Sequence, residues 1–195
     1  MTSVAALKYF DEKLSNFKQT SQAKSLIRLA KDGQRPEAIV VTCSDSRVAP
    51  EILFGADVGQ LFVIRVAGNI VGSNELASIE FAALALNVPL CIVLGHSSCG
   101  AVSASVDWHL ERKSPPTASL QSLVKEIEPS VAEAVASTKD STSCTVKAAT
   151  SENVSRVMKS ISEKSPALKE KIRNGEFLVK GGVVDMGNVA LNWLD

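Results

Sequence analysis

Apolar residues at Ala5, Leu7, Phe10, Leu14 and Phe17 recur at near-helical spacing and predict an amphipathic helix over residues 4–17. A second helix is expected over 21–31, ended by Asp32 and Gly33. The pattern then changes to short β-branched runs. Residues 38–42 (AIVVT), 61–64 (LFVI) and 90–94 (LCIVL) read as buried strands. Between the last two, residues 73–86 read as a helix, with Ser73 as its N-cap, Glu75 in its first turn and a second half apolar all round. From residue 101 to 173 the pattern is helical, with breaks expected near 114–116 and 141–142. Two short runs at 177–179 and 182–184 suggest a late strand, bent or bulged at Gly181 and Gly182, and residues 189–194 an antiparallel edge. Strands alternating with helices imply an α/β fold: a mainly parallel central sheet of four strands plus an antiparallel edge strand, helices on both faces, and an N-terminal helical arm.

Composition narrows the class. With 195 residues, 45% hydrophobic and 22% charged, the chain is expected to form a single domain over 1–195, with 1–33 as the arm. Its 21 basic and 21 acidic residues cancel, so no global field recruits nucleic acid or an anionic membrane. Near-zero charge suits a protein that hides surface by self-association. Four cysteines are too few for a disulfide framework, so Cys43, Cys91, Cys99 and Cys144 read as reduced thiols of a cytoplasmic protein. The N-terminus carries Asp11, Glu12 and Lys13 and has neither a secretory nor a transit-peptide pattern. The longest apolar stretch, 81–95, is too short and too broken to span a bilayer.

The chemistry concentrates at two strand ends. Cys43 follows the first strand, His96 the third, and Cys99 comes three residues later, flanked by Gly95 and Gly100. In a parallel sheet the carboxyl ends of strands open onto the crevice where ligands bind. Two sulfurs and one imidazole are donors that zinc takes in a tetrahedron, and three protein ligands leave one position open. Asp45 and Arg47 stand within four residues of Cys43. A carboxylate beside such a site can orient a water, and a guanidinium can hold the carboxylate off the metal. Cys91 lies mid-strand and reads as a small buried hydrophobe, and Glu80, in an apolar helix, needs a buried partner.

The motif CSDSR at 43–47 together with HSSCG at 96–100 closely resembles the β-class carbonic anhydrases, the plant-type branch more than the bicarbonate-regulated one. The likeness extends through FVIRVAGN at 62–69 and SIEFA at 78–82, and is strong over residues 30–106. It implies a zinc enzyme that reversibly hydrates carbon dioxide to bicarbonate and a proton by attack of zinc-bound hydroxide. It implies Cys43, His96 and Cys99 as zinc ligands and Asp45 with Arg47 as the orienting pair. It also implies a substrate pocket drawing on Gln34, Phe62, Val66, Phe81 and the backbone amide of Gly100. In that branch part of the pocket comes from a second copy, so a homodimer or higher homo-oligomer is expected, with the N-terminal helices wrapped over the partner. The small-molecule substrate is the only other partner expected; nucleic acid and membrane are not.

Two departures stand out. Phe81 occupies a position where that branch usually has tyrosine. Arg65 matches an arginine of the bicarbonate-regulated branch, but Val40 replaces its tryptophan and the sole tyrosine is Tyr9, so no such switch is expected. Arg65 reads instead as a structural ion-pair partner, with a carboxylate at the dimer interface. His109 lies roughly 15 Å along a helix from Cys99 and is a poor proton shuttle. Two alternatives stay open: a carbon disulfide or carbonyl sulfide hydrolase on the same scaffold, and a non-enzymatic zinc or redox-sensing module.

Overall fold

The structure is a computed structural model that describes residues 3–111, 115–138 and 142–194, with the side chains of 142–144 left out. The helical breaks expected at 114–116 and 141–142, and the Cys144 thiol, fall partly or wholly outside the described residues. Two helices come first, α1 (Ser3–Phe17) and α2 (Ser21–Asp32). The Thr20 hydroxyl caps α2 by accepting from the Ala23 amide. No residue of α1 is buried, and Leu7 and Phe10 are 68% and 66% exposed. Its apolar stripe is therefore left largely uncovered by the described residues.

The sheet is built from β1 (Ala38–Thr42), β2 (Leu61–Arg65), β3 (Leu90–His96), β4 (Leu178–Val184) and β5 (Leu191–Trp193), in the order β2-β1-β3-β4-β5. The first four strands pair parallel and β5 is antiparallel to β4, as the sequence pattern implied. Alternation sorts the side chains onto two faces. Ile39, Val41, Cys91 and Val93 point one way, against Ile79, Val154, Val157, Ile161 and Leu168. Ala38, Val40, Ile92 and Leu94 point the other way, against Val48 and the short helix α3 (Pro50–Leu53) with its Leu53.

The remaining helices are α4 (Ser73–Glu80), α5 (Gly100–Glu111), α6 (Ala118–Ser137), α7 (Thr142–Lys164) and α8 (Pro166–Arg173). Ser73 is not the cap of α4. Gly72 takes that place, and the Glu75 carboxylate accepts its amide at 3.0 Å. The helix passes into a π-helical turn over Phe81–Ala85, whose wider winding turns Phe81 and Leu84 outward while Ala82 and Ala83 stay buried. The second half of this helix is thus buried on one side only. Glu80 finds its partner in the Ser165 hydroxyl, which also caps α8. Gly181 and Gly182 keep regular register against Val93 and Leu94, so there is no bulge. A side chain at Gly181 would strike Met158 and Val154, so the glycine lets α7 lie close on the sheet. Among the described residues no helix is long and apolar enough to cross a membrane.

Candidate metal centre

Strand order places the site. From β1 the chain crosses to β2 on one side and later returns to β3 on the other, so the carboxyl ends of β1 and β3 flank a topological switch point. The two ends are tied together: the Thr42 hydroxyl donates to the Leu94 carbonyl at 3.0 Å, both residues being fully buried. Cys43 leaves β1 there, His96 ends β3, and Cys99 stands immediately before α5. Their donor atoms all lie within 4.8 Å of one another, and the two sulfurs are 3.9 Å apart.

Each donor is aimed by its surroundings. His96 Nδ1 donates to the Ser97 carbonyl at 3.0 Å, which leaves the Nε2 lone pair facing the cluster. That atom is buried and has no hydrogen-bond partner among the described residues. A buried imidazole nitrogen is rarely left so, and a cation is the partner it lacks. The Cys43 sulfur accepts the Gly68 amide at 3.3 Å. The thiol of Cys43 is shifted down, chiefly by its hydrogen bond from Cys99, and that of Cys99 is pushed up by the same contact and by burial. A divalent ion takes both sulfurs as thiolates. Two thiolates and one imidazole in a tight cluster fit zinc. By contrast, Cys91 is buried mid-strand with its thiol pushed up to about 12 by burial, as expected of an inert core cysteine.

Asp45 and Arg47 stand beside this cluster. Arg47 grips the carboxylate as a fork, Nε to Oδ1 at 2.9 Å and Nη2 to Oδ2 at 2.7 Å, and its own amide donates to Oδ1 at 3.0 Å. This pairing holds the Asp45 carboxyl well below the usual carboxylate range. Its Oδ2 lies 4.0 Å from His96 Nε2, close to the donor set without belonging to it. Arg47 also donates to the Ser98 carbonyl at 3.3 Å, which links the Cys43 loop to the turn before Cys99.

Val66 packs against the apolar cluster that contains Cys43, Cys99 and Ile70. Gly100 is exposed at the first turn of α5, with open space where a side chain would be. The other expected pocket residues are elsewhere in this chain. Gln34 precedes β1 and is exposed. Phe62 pairs in register with Ile39, about 13 Å down the strand from Cys43. Its ring faces that of Phe81 at 6.3 Å between centroids, and Phe81 is 52% exposed.

Three contributors were not legible in the sequence. Arg65 donates to the backbone carbonyls of Cys43 at 3.2 Å and Asp45 at 2.6 Å, and so clamps the loop that carries both. Gly68 sits at φ +73°, where a Cβ would be 2.7 Å from Ile127 Cδ1. Asn153 of α7, almost fully buried, donates from Nδ2 to the Gly68 carbonyl at 2.8 Å. The AGN run at 67–69 was the one available sign that the backbone turns there.

The family profile described as carbonic anhydrase matches residues 38–191. The carbonic anhydrase of Mycolicibacterium smegmatis is 46% identical over 98 residues, 50% of this chain and 47% of that protein. The chain spans about half the length of the curated relatives it matches. The structure of the β-carbonic anhydrase CcaA superposes with a TM-score of 0.85 at 26% identity, covering 98% of this chain and 88% of that one. CafA, the β-carbonic anhydrase of the fungal pathogen Aspergillus fumigatus, superposes at 0.79 with 26% identity, covering 98% and 90%. The profile runs from the first strand into the last and includes all three donors, so the chain belongs to the carbonic anhydrase family, in its β class.

Proposed function

We propose that the protein hydrates carbon dioxide reversibly to bicarbonate and a proton, with zinc held by Cys43, His96 and Cys99. One observation carries the reading: a carboxylate, Asp45, lies 4.0 Å from the free imidazole nitrogen and is held by an arginine fork. A metal that only stabilises a fold needs no such group beside it. Bound zinc supplies Lewis acidity, which makes water in contact with it a usable nucleophile near neutral pH.

The residues divide the remaining work. Asp45, acceptor-only when ionised, takes a hydrogen bond from the attacking water and so fixes where its lone pair points. Arg47 keeps that carboxylate anionic and engages both of its oxygens, so that it would stay out of the donor set of a bound metal. Val66 and Ile70 offer an apolar wall to a substrate that has no charge and no hydrogen-bond donor. The Gly100 amide, at the first turn of α5, faces negative charge that develops on a substrate oxygen.

Gln34, Phe62 and Phe81 serve the pocket of a second copy in this reading, because none of them adjoins the chain's own donors. The protein is then a homodimer or larger homo-oligomer, with α1 laid over its partner. The wholly exposed apolar stripe of α1 and the outward Phe81 and Leu84 support this. Paired thiolate ligands favour a reducing compartment, hence the cytoplasm. The plant-type arrangement of the site, with no noncatalytic bicarbonate switch, is supported by Val40 being buried within β1 and by Arg65 being engaged with backbone carbonyls.

The test is stopped-flow hydration of carbon dioxide on metal-analysed protein, parent against Asp45→Ala. The variant is expected to keep one zinc per chain and to lose turnover by about 10²-fold, within the range for removal of a proton-accepting group. Unchanged turnover in a zinc-loaded variant refutes the role of Asp45. Absence of zinc from the parent refutes the metal reading.

A further inference from the structure

The segment at 66–70 carries an N–H···S bond on a turn whose backbone bonds run from the Val66 amide to the Thr42 carbonyl at 3.1 Å and from the Asn69 amide to the Val66 carbonyl at 2.9 Å, leaving the Gly68 carbonyl to a side chain. Gly68 and Asn69 follow one another with φ of +73° and +45°. Glycine and asparagine are the residues that enter the left-handed region most readily, so the turn forms at little cost, and its exact pose is set by what packs on it. Three helices close on this point. Ile127 of α6 and Ala101 of α5 crowd the Gly68 α-carbon, and Asn153 of α7 donates to the Gly68 carbonyl from a site 1% exposed. Of these contacts only the Asn153 bond is directional. The same residue, Gly68, presents its amide to the Cys43 sulfur at 3.3 Å.

We infer that Asn153 is a positioning residue for the metal centre: by anchoring the Gly68 carbonyl it keeps the Gly68 amide on the Cys43 sulfur and thereby sets the donor strength of that thiolate. This rests on Cys43 being a metal ligand. An N–H···S bond draws electron density from sulfur and lowers the energy of its lone pairs. Without the Asn153 bond the Gly68 peptide loses its side-chain anchor, the amide swings off the sulfur, and Cys43 becomes a more electron-rich and less well-fixed ligand. Partners of metal ligands of this kind affect metal affinity by about 10–100-fold.

The experiment uses the full chain loaded with Co²⁺, whose thiolate-to-metal charge-transfer band reads sulfur donor energy directly, together with zinc affinity by chelator competition. Asn153→Asp keeps the side-chain shape and removes the donor; Asn153→Ala removes both. Val157→Ala, one turn further along α7 and in its core, is the control for plain loss of packing. Expected are a red-shifted band and a zinc dissociation constant raised roughly 10-fold in the Asn153 variants, with the Val157→Ala band in place despite a lower Tm. A parent-like band and affinity in a folded Asn153 variant overturns the inference. So does failure of both Asn153 variants to fold while Val157→Ala folds, since the role is then structural. A parent chain without thiolate-to-cobalt bands overturns the metal reading itself, and this inference with it.

Discussion

Gly68→Ala tests how tightly the fold and the metal centre are joined. The residue sits at φ +73°, and an added Cβ would lie 2.7 Å from Ile127 Cδ1 and 3.3 Å from the Ala101 Cβ. The left-handed backbone costs an alanine about 1–2 kcal/mol. Ile127 is fully buried, so its displacement is an overpacking event costing roughly another 1–2 kcal/mol, at the low end because Cδ1 is the tip of a side chain. The expected total is about 2–4 kcal/mol. For a chain of this size each kcal/mol lowers Tm by roughly 2–4 °C, so thermal unfolding is expected about 5–15 °C lower. A second substitution separates the two parts. Ile127→Val removes the clashing methyl and alone costs roughly 0.5–1.5 kcal/mol. In the double variant the steric part is recovered and the backbone part stays, giving a favourable coupling of about 1 kcal/mol or more. Chemical denaturation of the four proteins measures it. Additivity within about 0.5 kcal/mol refutes the steric argument, and a Gly68→Ala chain as stable as the parent refutes both parts.

Two further expectations concern the donors and the arm. Zinc takes both sulfurs as thiolates, and the Cys43 thiol is shifted down while that of Cys99 is pushed up by its contact with Cys43 and by burial, so zinc uptake near neutral pH is expected to release about one proton from this pair, and the zinc dissociation constant to fall roughly tenfold per pH unit as pH rises. Calorimetry in buffers of different ionisation enthalpy counts the protons, and a pH-independent affinity refutes this reading of the two thiols. Deleting residues 1–18 removes the exposed Val4, Leu7, Phe10 and Leu14, each worth roughly 1.5–3 kcal/mol if buried on a partner. Sedimentation at micromolar concentration is expected to show dissociation to monomers that keep their zinc, and an unchanged sedimentation profile refutes the role of α1.

Much of this was legible because a parallel sheet turns sequence into place. Once residues 38–42 and 90–94 are read as buried strands, the residues just beyond them share one edge, and Cys43, His96 and Cys99 follow. The asymmetry between β5 and the other strands was legible for the same reason. What could not be read depends on contacts between distant segments. Arg65 serves carbonyls at Cys43 and Asp45, and a carbonyl leaves no mark on residue identity. Asn153 meets Gly68 across 85 positions, and Ser165 meets Glu80 across the same span. Gly181 reads as a bulge from sequence, because only the folded chain shows α7 pressing on it. The end of α4 was misread because a π-helical turn shifts the apolar face by a residue that a fixed 3.6 period does not anticipate.

Charge balance explains why the arginine fork matters beyond orientation. Two thiolates offset a divalent ion, and Arg47 offsets Asp45, so on the proposed reading the reacting centre is close to neutral. A neutral centre suits a reaction whose substrate is uncharged and whose product is a monoanion that must leave. Were Asp45 unpaired, a net negative charge would stand 4.0 Å from His96 Nε2 and the carboxylate would compete for the open ligand position. Were Arg47 unpaired, a cation would stand beside the site and hold the product anion. The two side chains therefore act as one unit, and Arg65, spent on the backbone carbonyls of Cys43 and Asp45, keeps the loop that carries both Cys43 and Asp45 in the geometry where that pairing holds.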